Sequence, residues 1–213
     1  VNAPRIAGAN PFQRTGRWLA DRTGCLTASR IAIALERKKD LSPTKAAEDL
    51  VKEILAERMT GDAMSRYCTP EMQRGIDLEP AAREAYEVHT GNLVRLVGFI
   101  PHPKIEWCGA SPDGLVDDDG LVELKCPKTS THLQYLINGT APVEYQPQML
   151  LQMAVTRRSW CDFVSYDDRV KNPKQRLFVV RFEPEPGKIA AIEEEARKFL
   201  AIVDNLFDKL NGA

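Results

Sequence analysis

The spacing of apolar residues changes near Gly91, and that change restricts the chain to a mixed fold. Before it, apolar positions recur every three or four residues, as on one face of a helix. After it, residues 93–100, 107–110, 115–117 and 121–126 read as strands, with Asp118-Asp119-Gly120 as turn chemistry between the last two. On the helical side, the pattern predicts helices over residues 27–37 and from Ser42, read as an N-cap with Pro43 in the first turn, to a stop at Gly61. A third runs over 70–89, where Pro80 is expected to kink it or begin its second half. Helical spacing returns at 131–137 and 144–155, two strands follow at 160–166 and 177–183, and an amphipathic helix over 188–210 fills the C-terminal segment 186–213. Residues 1–12 carry no period and read as an extended arm. The expected fold is α/β (α+β): a single domain over 1–213, with a mixed, mostly antiparallel central sheet flanked by helices.

The turn at Asp118 carries the chemistry. A hairpin centred there sets Asp113 opposite Glu123, and directly opposed side chains on one face have Cβ atoms roughly 4.5–5.5 Å apart. Two carboxylates so close repel, so they need a cation or a raised pKa. Alternation puts Lys125 on the same face as Glu123 and turns Val122 and Leu124 to the other. With oxygen donors and no neighbouring His or Cys cluster, such a site selects Mg²⁺ or Mn²⁺ over zinc. A carboxylate-held cation beside an ammonium suits phosphodiester hydrolysis. Asp117, Asp118 and Asp119 read as a solvated turn. Glu-x-Lys alone is a weak signal; its value lies in the Asp-Gly ten residues upstream.

A net charge of −1 argues at first against a polyanionic partner. The distribution argues otherwise: residues 1–45 hold nine Lys/Arg against three Asp/Glu and residues 124–181 nine against four, bracketing an acidic 46–123 with seven against sixteen. Such a division suits a site that binds both cations and a polyanion, although segmental charge variation is also ordinary. No apolar run is long enough for a membrane span and no leader pattern is visible, so a cytoplasmic protein is expected. Five scattered cysteines without a C-x-x-C pair read as reduced, buried thiols. Trp18, Trp107 and Trp160 read as core or interface residues.

Ser111-Pro112-Asp113-Gly114 followed by Gly120-Leu121-Val122-Glu123-Leu124-Lys125-Cys126-Pro127 resembles the signature of the phage lambda exonuclease and YqaJ-type viral recombinase nucleases, within the PD-(D/E)XK superfamily. The resemblance extends from about Trp18 to Arg169, with four motifs in order. It implies a restriction-endonuclease-like core and a magnesium-dependent 5′ to 3′ exonuclease that leaves 3′ overhangs on linear duplex DNA. Residue by residue, it implies that Glu79, Asp113, Glu123 and the Leu124 carbonyl hold two Mg²⁺ ions, Mn²⁺ being the alternative. Lys125 and Gln148 join Asp113 and Glu123 as catalytic residues. Read without the family, Glu79 is a helix-surface carboxylate, with Glu84 and Glu87 as fallback candidates, and Gln148 is the polar edge of an amphipathic helix, with Tyr145 on its face. Pro147 departs from the small residue usual there.

The segment Trp18-x-x-x-Arg22-x-Gly24-x-x-Thr27-Ala28-Ser29 matches the family's 5′-phosphate motif. The resemblance carries that role to Arg22, Thr27, Ser29 and, beside the Pro-Asp-Gly, Ser111. Taken alone, Ser29 is a helix-start residue and Arg22 a surface charge. Arg37, Lys38 and Lys39 read equally as a second phosphate contact or a solvated loop. The family further implies a homotrimeric ring around DNA with 5′-phosphorylated ends and a single-strand annealing protein as partner. The rivals are a restriction- or repair-like endonuclease of the same superfamily and a DNA-end-binding module without catalysis.

Overall fold

A computed structural model describes residues 10–64 and 68–212; most of the expected N-terminal arm lies outside them. The described chain starts with helix α1 (Gly16–Arg22), strand β1 (Leu26–Thr27), a 3-10 turn at Ala28–Arg30 and helix α2 (Ile31–Ala34). Two long helices follow, α3 (Lys45–Thr60) and α4 (Pro70–Thr90). Thr44 and Thr69 cap them by accepting from the Ala47 and Met72 amides, and Gly61 and Gly91 end them at φ 74° and 76°. Glycine adopts that left-handed conformation without the Cβ penalty other residues meet. Next come β2 (Val94–Arg95), β3 (Ile100–Pro101), β4 (Cys108–Ala110), β5 (Gly114–Val116) and β6 (Gly120–Lys125). Helices α5 (Thr129–Asn138) and α6 (Gln146–Thr156) lead to β7 (Trp160–Tyr166), β8 (Leu177–Phe182) and α7 (Lys188–Asn211).

The strands form a five-stranded sheet in the order β2-β5-β6-β7-β8 and a three-stranded one in the order β1-β4-β3. Most pairings are antiparallel; β6–β7 and β1–β4 are parallel. The expected strand at 93–100 therefore divides, its ends entering different sheets. The Asn10 and Gln13 side-chain amides donate to the Val97 carbonyl at 3.0 and 3.1 Å, taking an acceptor that a continuous strand would use. The helix expected at 27–37 shrinks for a related reason: Leu26 and Thr27 pair with Cys108 and Gly109. Ser42 does not cap α3. Its amide and hydroxyl bind Asp40, Pro43 bridges Arg37, and the helix starts two residues later. Helix α4 continues through Pro80, whose missing N–H leaves the Ile76 carbonyl without its usual donor. Helix α1 has no buried residue and hence no apolar period to reveal it.

Strand β6 is central, with an apolar layer on each side. Leu115, Leu121, Cys161 and Phe163 pack into the main core with Met149 and Met153 of α6 and Phe199 of α7. Val116, Val122, Leu124 and Val164 pack on the other side against Ala82 and Tyr86 of α4. The parallel β6–β7 connection carries α6 across, as parallel neighbours require a crossover. Of the cysteines, Cys25, Cys108 and Cys161 are buried, whereas Cys68 is exposed, against expectation. Trp107, read as a core or interface residue, is 42% exposed beneath the Arg58 guanidinium and so is not part of the core.

A buried ion pair fastens the segment around β1, in the three-stranded sheet, to α3. Arg30 donates to both Glu57 oxygens at 2.9 and 3.1 Å, and the Gly24 amide adds a third bond at 3.0 Å. Burial opposes ionisation of Glu57, but the Arg30 hydrogen bonds and charge outweigh it and hold its pKa below the usual glutamate value. A depressed folded-state pKa gives stability that is present above the ordinary value and is lost as pH falls through the depressed one. Glu57→Gln, which strands the buried guanidinium, is expected to cost about 3–5 kcal/mol at neutral pH. Urea unfolding should show that loss, narrowing in acid; a neutral-pH loss under about 1 kcal/mol would mean the pair holds nothing together.

Candidate active site

The β5–β6 register pairs Gly114 with Val122, Leu115 with Leu121 and Val116 with Gly120, which centres the hairpin on Asp118 as the turn chemistry predicts. One step beyond, Asp113 faces Glu123. Glycine is required at the first position of β5, because a Cβ on Gly114 would sit 2.0 Å from the Val94 side chain. The Asp113 Oδ2 accepts from the Leu124 amide at 2.7 Å, so the aspartate is tied to the strand bearing its partner.

Glu123 is 1% exposed and accepts from three side-chain donors. Lys125 Nζ bonds its Oε1. Gln148 Nε2 donates to the same oxygen at 2.6 Å, and Gln152 Nε2 to Oε2 at 2.7 Å. The Lys125 ammonium also lies 4.8 Å from the centre of the Tyr145 ring, which stacks on Phe163. Glu79, on α4, is buried and accepts from Arg14 at 2.6 Å. The fallback residues stand apart: Glu84 is exposed, and Glu87 accepts from the Val94 amide at 2.7 Å.

Burial, then the charges of Glu123 and Glu79, raises the Asp113 pKa well above the usual aspartate value; Lys125 and the Leu124 amide offset part of this. Burial would lower the Lys125 pKa, but Glu123 and Asp113 outweigh it, and the ammonium is held above the usual lysine value. Three carboxylates thus feel one another across a cluster with an all-oxygen donor set, which suits a hard divalent cation. Among the described residues no three acidic, His or Cys side chains already converge into a closed metal cage.

An open cleft of about 920 Å³ joins these groups to the predicted phosphate motif, taking in Arg22, Thr27, Ser29 and Ser111. Arg22 stacks over Trp18 at 4.2 Å and donates to Thr27 Oγ1 at 3.3 Å; Thr27 and Ser29 hydroxyls are 3.2 Å apart. Trp18 Nε1 donates to Ser111 Oγ at 2.9 Å, linking α1 to the loop before Asp113. Arg37 points its charge elsewhere, toward Glu195 at 3.7 Å, and Lys38 and Lys39 are exposed outside the cleft. Asp119 serves the turn by accepting from Trp160 Nε1 at 3.1 Å.

Sequence reasoning missed two residues. Gln152 sits in Leu150-Leu151-Gln152-Met153-Ala154-Val155, and a lone amide in an apolar run, four residues after Gln148, was the available signal. Arg14 reaches Glu79 across 65 positions and left no local signal.

A family model described as the YqaJ-like viral recombinase domain matches residues 17–159. The chain is 43% identical to an alkaline exonuclease from Laribacter hongkongensis (LHK-Exo), and the two structures agree with a TM-score of 0.85 over 92% of this chain and 96% of that one. The structure of LHK-Exo in complex with dAMP matches over the same shares, at 42% identity and a TM-score of 0.85. A phage-related exonuclease from Haemophilus somnus 129PT, 13% identical, shares the fold with a TM-score of 0.67 over 88% and 95% of the two chains. No curated protein sequence matches.

Lys125→Met is expected to destabilise the metal-free protein by roughly 3 kcal/mol, since it leaves Glu123 buried beside Asp113 without its cation. A raised lysine pKa contributes stability fully below the ordinary value and loses it only as pH rises through the raised one. The deficit should therefore stay constant from about pH 6 to 9. Equal unfolding midpoints for variant and parent would show that Lys125 does not neutralise the pair.

Proposed function

This chain belongs to the YqaJ-like viral recombinase domain family, and on that premise we propose that it is a divalent-metal-dependent exonuclease acting on linear duplex DNA. It shortens one strand 5′ to 3′ from a phosphorylated end and leaves a 3′ overhang for recombination by strand annealing. The observation that carries this reading is the placement of Asp113, Glu123 and Lys125 in one cleft with Arg22, Thr27, Ser29 and Ser111. The relative's name supports it, as does its dAMP complex, since a deoxynucleoside monophosphate is the class of molecule an exonuclease releases.

Asp113, Glu123, Glu79 and the Leu124 carbonyl would hold Mg²⁺, or Mn²⁺, two ions in this reading. A cation held by these residues would supply an acidified water and a positive charge for the leaving oxygen. The protein's own groups do the rest. Lys125, paired with Glu123, directs a positive charge toward the nucleophile and the pentavalent phosphate. Gln148 and Gln152 hold both Glu123 oxygens in place, so that the carboxylate needs no reorganisation when a substrate arrives. Arg22 offers a guanidinium fork to a terminal phosphate, with the Thr27, Ser29 and Ser111 hydroxyls as further donors. Tethering the 5′ end there while Asp113 and Glu123 address the next linkage makes the reaction exonucleolytic.

We place the enzyme in the cytoplasm with a single-strand annealing protein as partner; no described helix is long and apolar enough to cross a membrane. A homotrimeric ring reconciles the net charge with DNA binding, because the basic segments of three copies would line one channel.

Digestion of 5′-phosphorylated linear duplex with Mg²⁺ should shorten the 5′-ended strand and stop with EDTA. Asp113→Ala should lower the rate by roughly 10³-fold while DNA is still bound. Cleavage of covalently closed circles would overturn the exonuclease reading. Arg22→Ala should erase the preference for phosphorylated over hydroxyl ends, and a parent protein without that preference would refute the pocket.

A further inference from the structure

Among the described residues lining the cleft, Arg14 alone is a non-glycine with a left-handed backbone, at φ 58°. Residues other than glycine, asparagine and aspartate rarely adopt that conformation, and it persists where the surroundings enforce it. Here they do. On one side the buried Gln13 amide donates to the Val97 carbonyl at 3.1 Å and to the Pro112 carbonyl, next to Asp113, at 2.9 Å. On the other, Thr15 caps α1 by accepting from the Trp18 amide at 3.1 Å. The anchored backbone aims the guanidinium at Glu79 Oε2, 2.6 Å away. Its side chain is 37% exposed, against 9% for Glu79, so the cation borders solvent while the carboxylate does not.

We propose that Arg14 is a displaceable counter-ion: it neutralises Glu79 in the metal-free enzyme, gives way when a divalent cation takes that carboxylate, and then binds a DNA phosphate in the same cleft. This rests on the reading of Glu79 as a metal ligand. A buried carboxylate beside Asp113 and Glu123 requires a positive partner before the metal arrives. A divalent ion on Glu79 repels a guanidinium on the same carboxylate, which weakens the original pair. The freed group is matched to phosphate oxygens, and a half-exposed side chain has the freedom to turn to them. Metal loading would thereby prepare the cleft for DNA.

The test separates a competitor from a clasp that merely steadies Glu79, because the two predict opposite signs. Arg14→Asn tolerates the left-handed backbone and cannot neutralise Glu79. Electron paramagnetic resonance of Mn²⁺ with the full chain and no DNA should show binding about three- to tenfold tighter in this variant than in the parent. Arg14→Gly, which relieves the backbone altogether, should do the same, whereas Arg14→Lys should stay within about twofold of the parent. Unchanged or weaker Mn²⁺ binding in both Asn and Gly variants would overturn the proposal. With Ca²⁺ and 5′-phosphorylated duplex, the Asn variant should also lose about one unit from the slope of log Kd against log salt, and an unchanged slope would refute the phosphate contact. Failure of the parent to bind Mn²⁺ at all would instead strike the metal-site reading itself.

Discussion

A carboxylate at 1% exposure in the middle strand of the main sheet sets the terms for everything around it. Alternation along β6 puts Glu123 on the face that Leu121 presents to the main core, so the acid is committed to the interior by the pleat itself. Removing a charge from water is costly unless it is paired and hydrogen-bonded. Lys125, two residues on, shares the face and supplies the charge, and α6 supplies two amides. The crossover from β6 to β7 therefore does more than close a parallel pair: it lays over this face a helix whose positions 148 and 152 are spaced by one turn and so reach the same acid.

Asp113 and Glu79 complete the cluster from two other directions. The hairpin brings the first, and its geometry depends on glycine at 114, because Val94 of the next strand occupies the space a side chain would need. Helix α4 brings the second while packing on the opposite apolar layer, through Ala82 and Tyr86. Both layers thus converge on the site, and no single element could be shifted without separating the three acids. The raised Asp113 pKa is the electrostatic record of that convergence, caused by burial first and by its two acidic neighbours next.

What the sequence disclosed follows the range of the interactions involved. The hairpin register was legible because a turn centre and a period of two determine which residues oppose, and the observed pairs share the predicted centre. The β7 limits and the stops at Gly61 and Gly91 were legible for the same reason, since a strand period and a left-handed glycine are local properties. The division of residues 93–100 between two sheets was not, because its cause lies in side chains more than 80 positions away. Helix α1 buries nothing and gave no period, and Ser42 lost the capping position to an Asp40 contact that competes for its hydroxyl. Glu79, Gln148 and the Arg22 segment were singled out through family resemblance; their own neighbourhoods read as ordinary helix surface.

Net charge was the least informative bulk property, and the cleft explains why. Arg30 lines it but is spent on Glu57, and Lys125 is spent on Glu123. Arg14 sits on Glu79, and Arg22 lies over the Trp18 ring and donates to the Thr27 hydroxyl. A cation already neutralised inside the fold contributes little field to an approaching polyanion. On the proposed reading of Glu79 as a metal ligand, a divalent ion would add positive charge at the carboxylates and weaken the hold of Glu79 on Arg14. On that reading the polarity DNA would meet is a property of the loaded cleft, and a chain of net charge −1 can present a positive one.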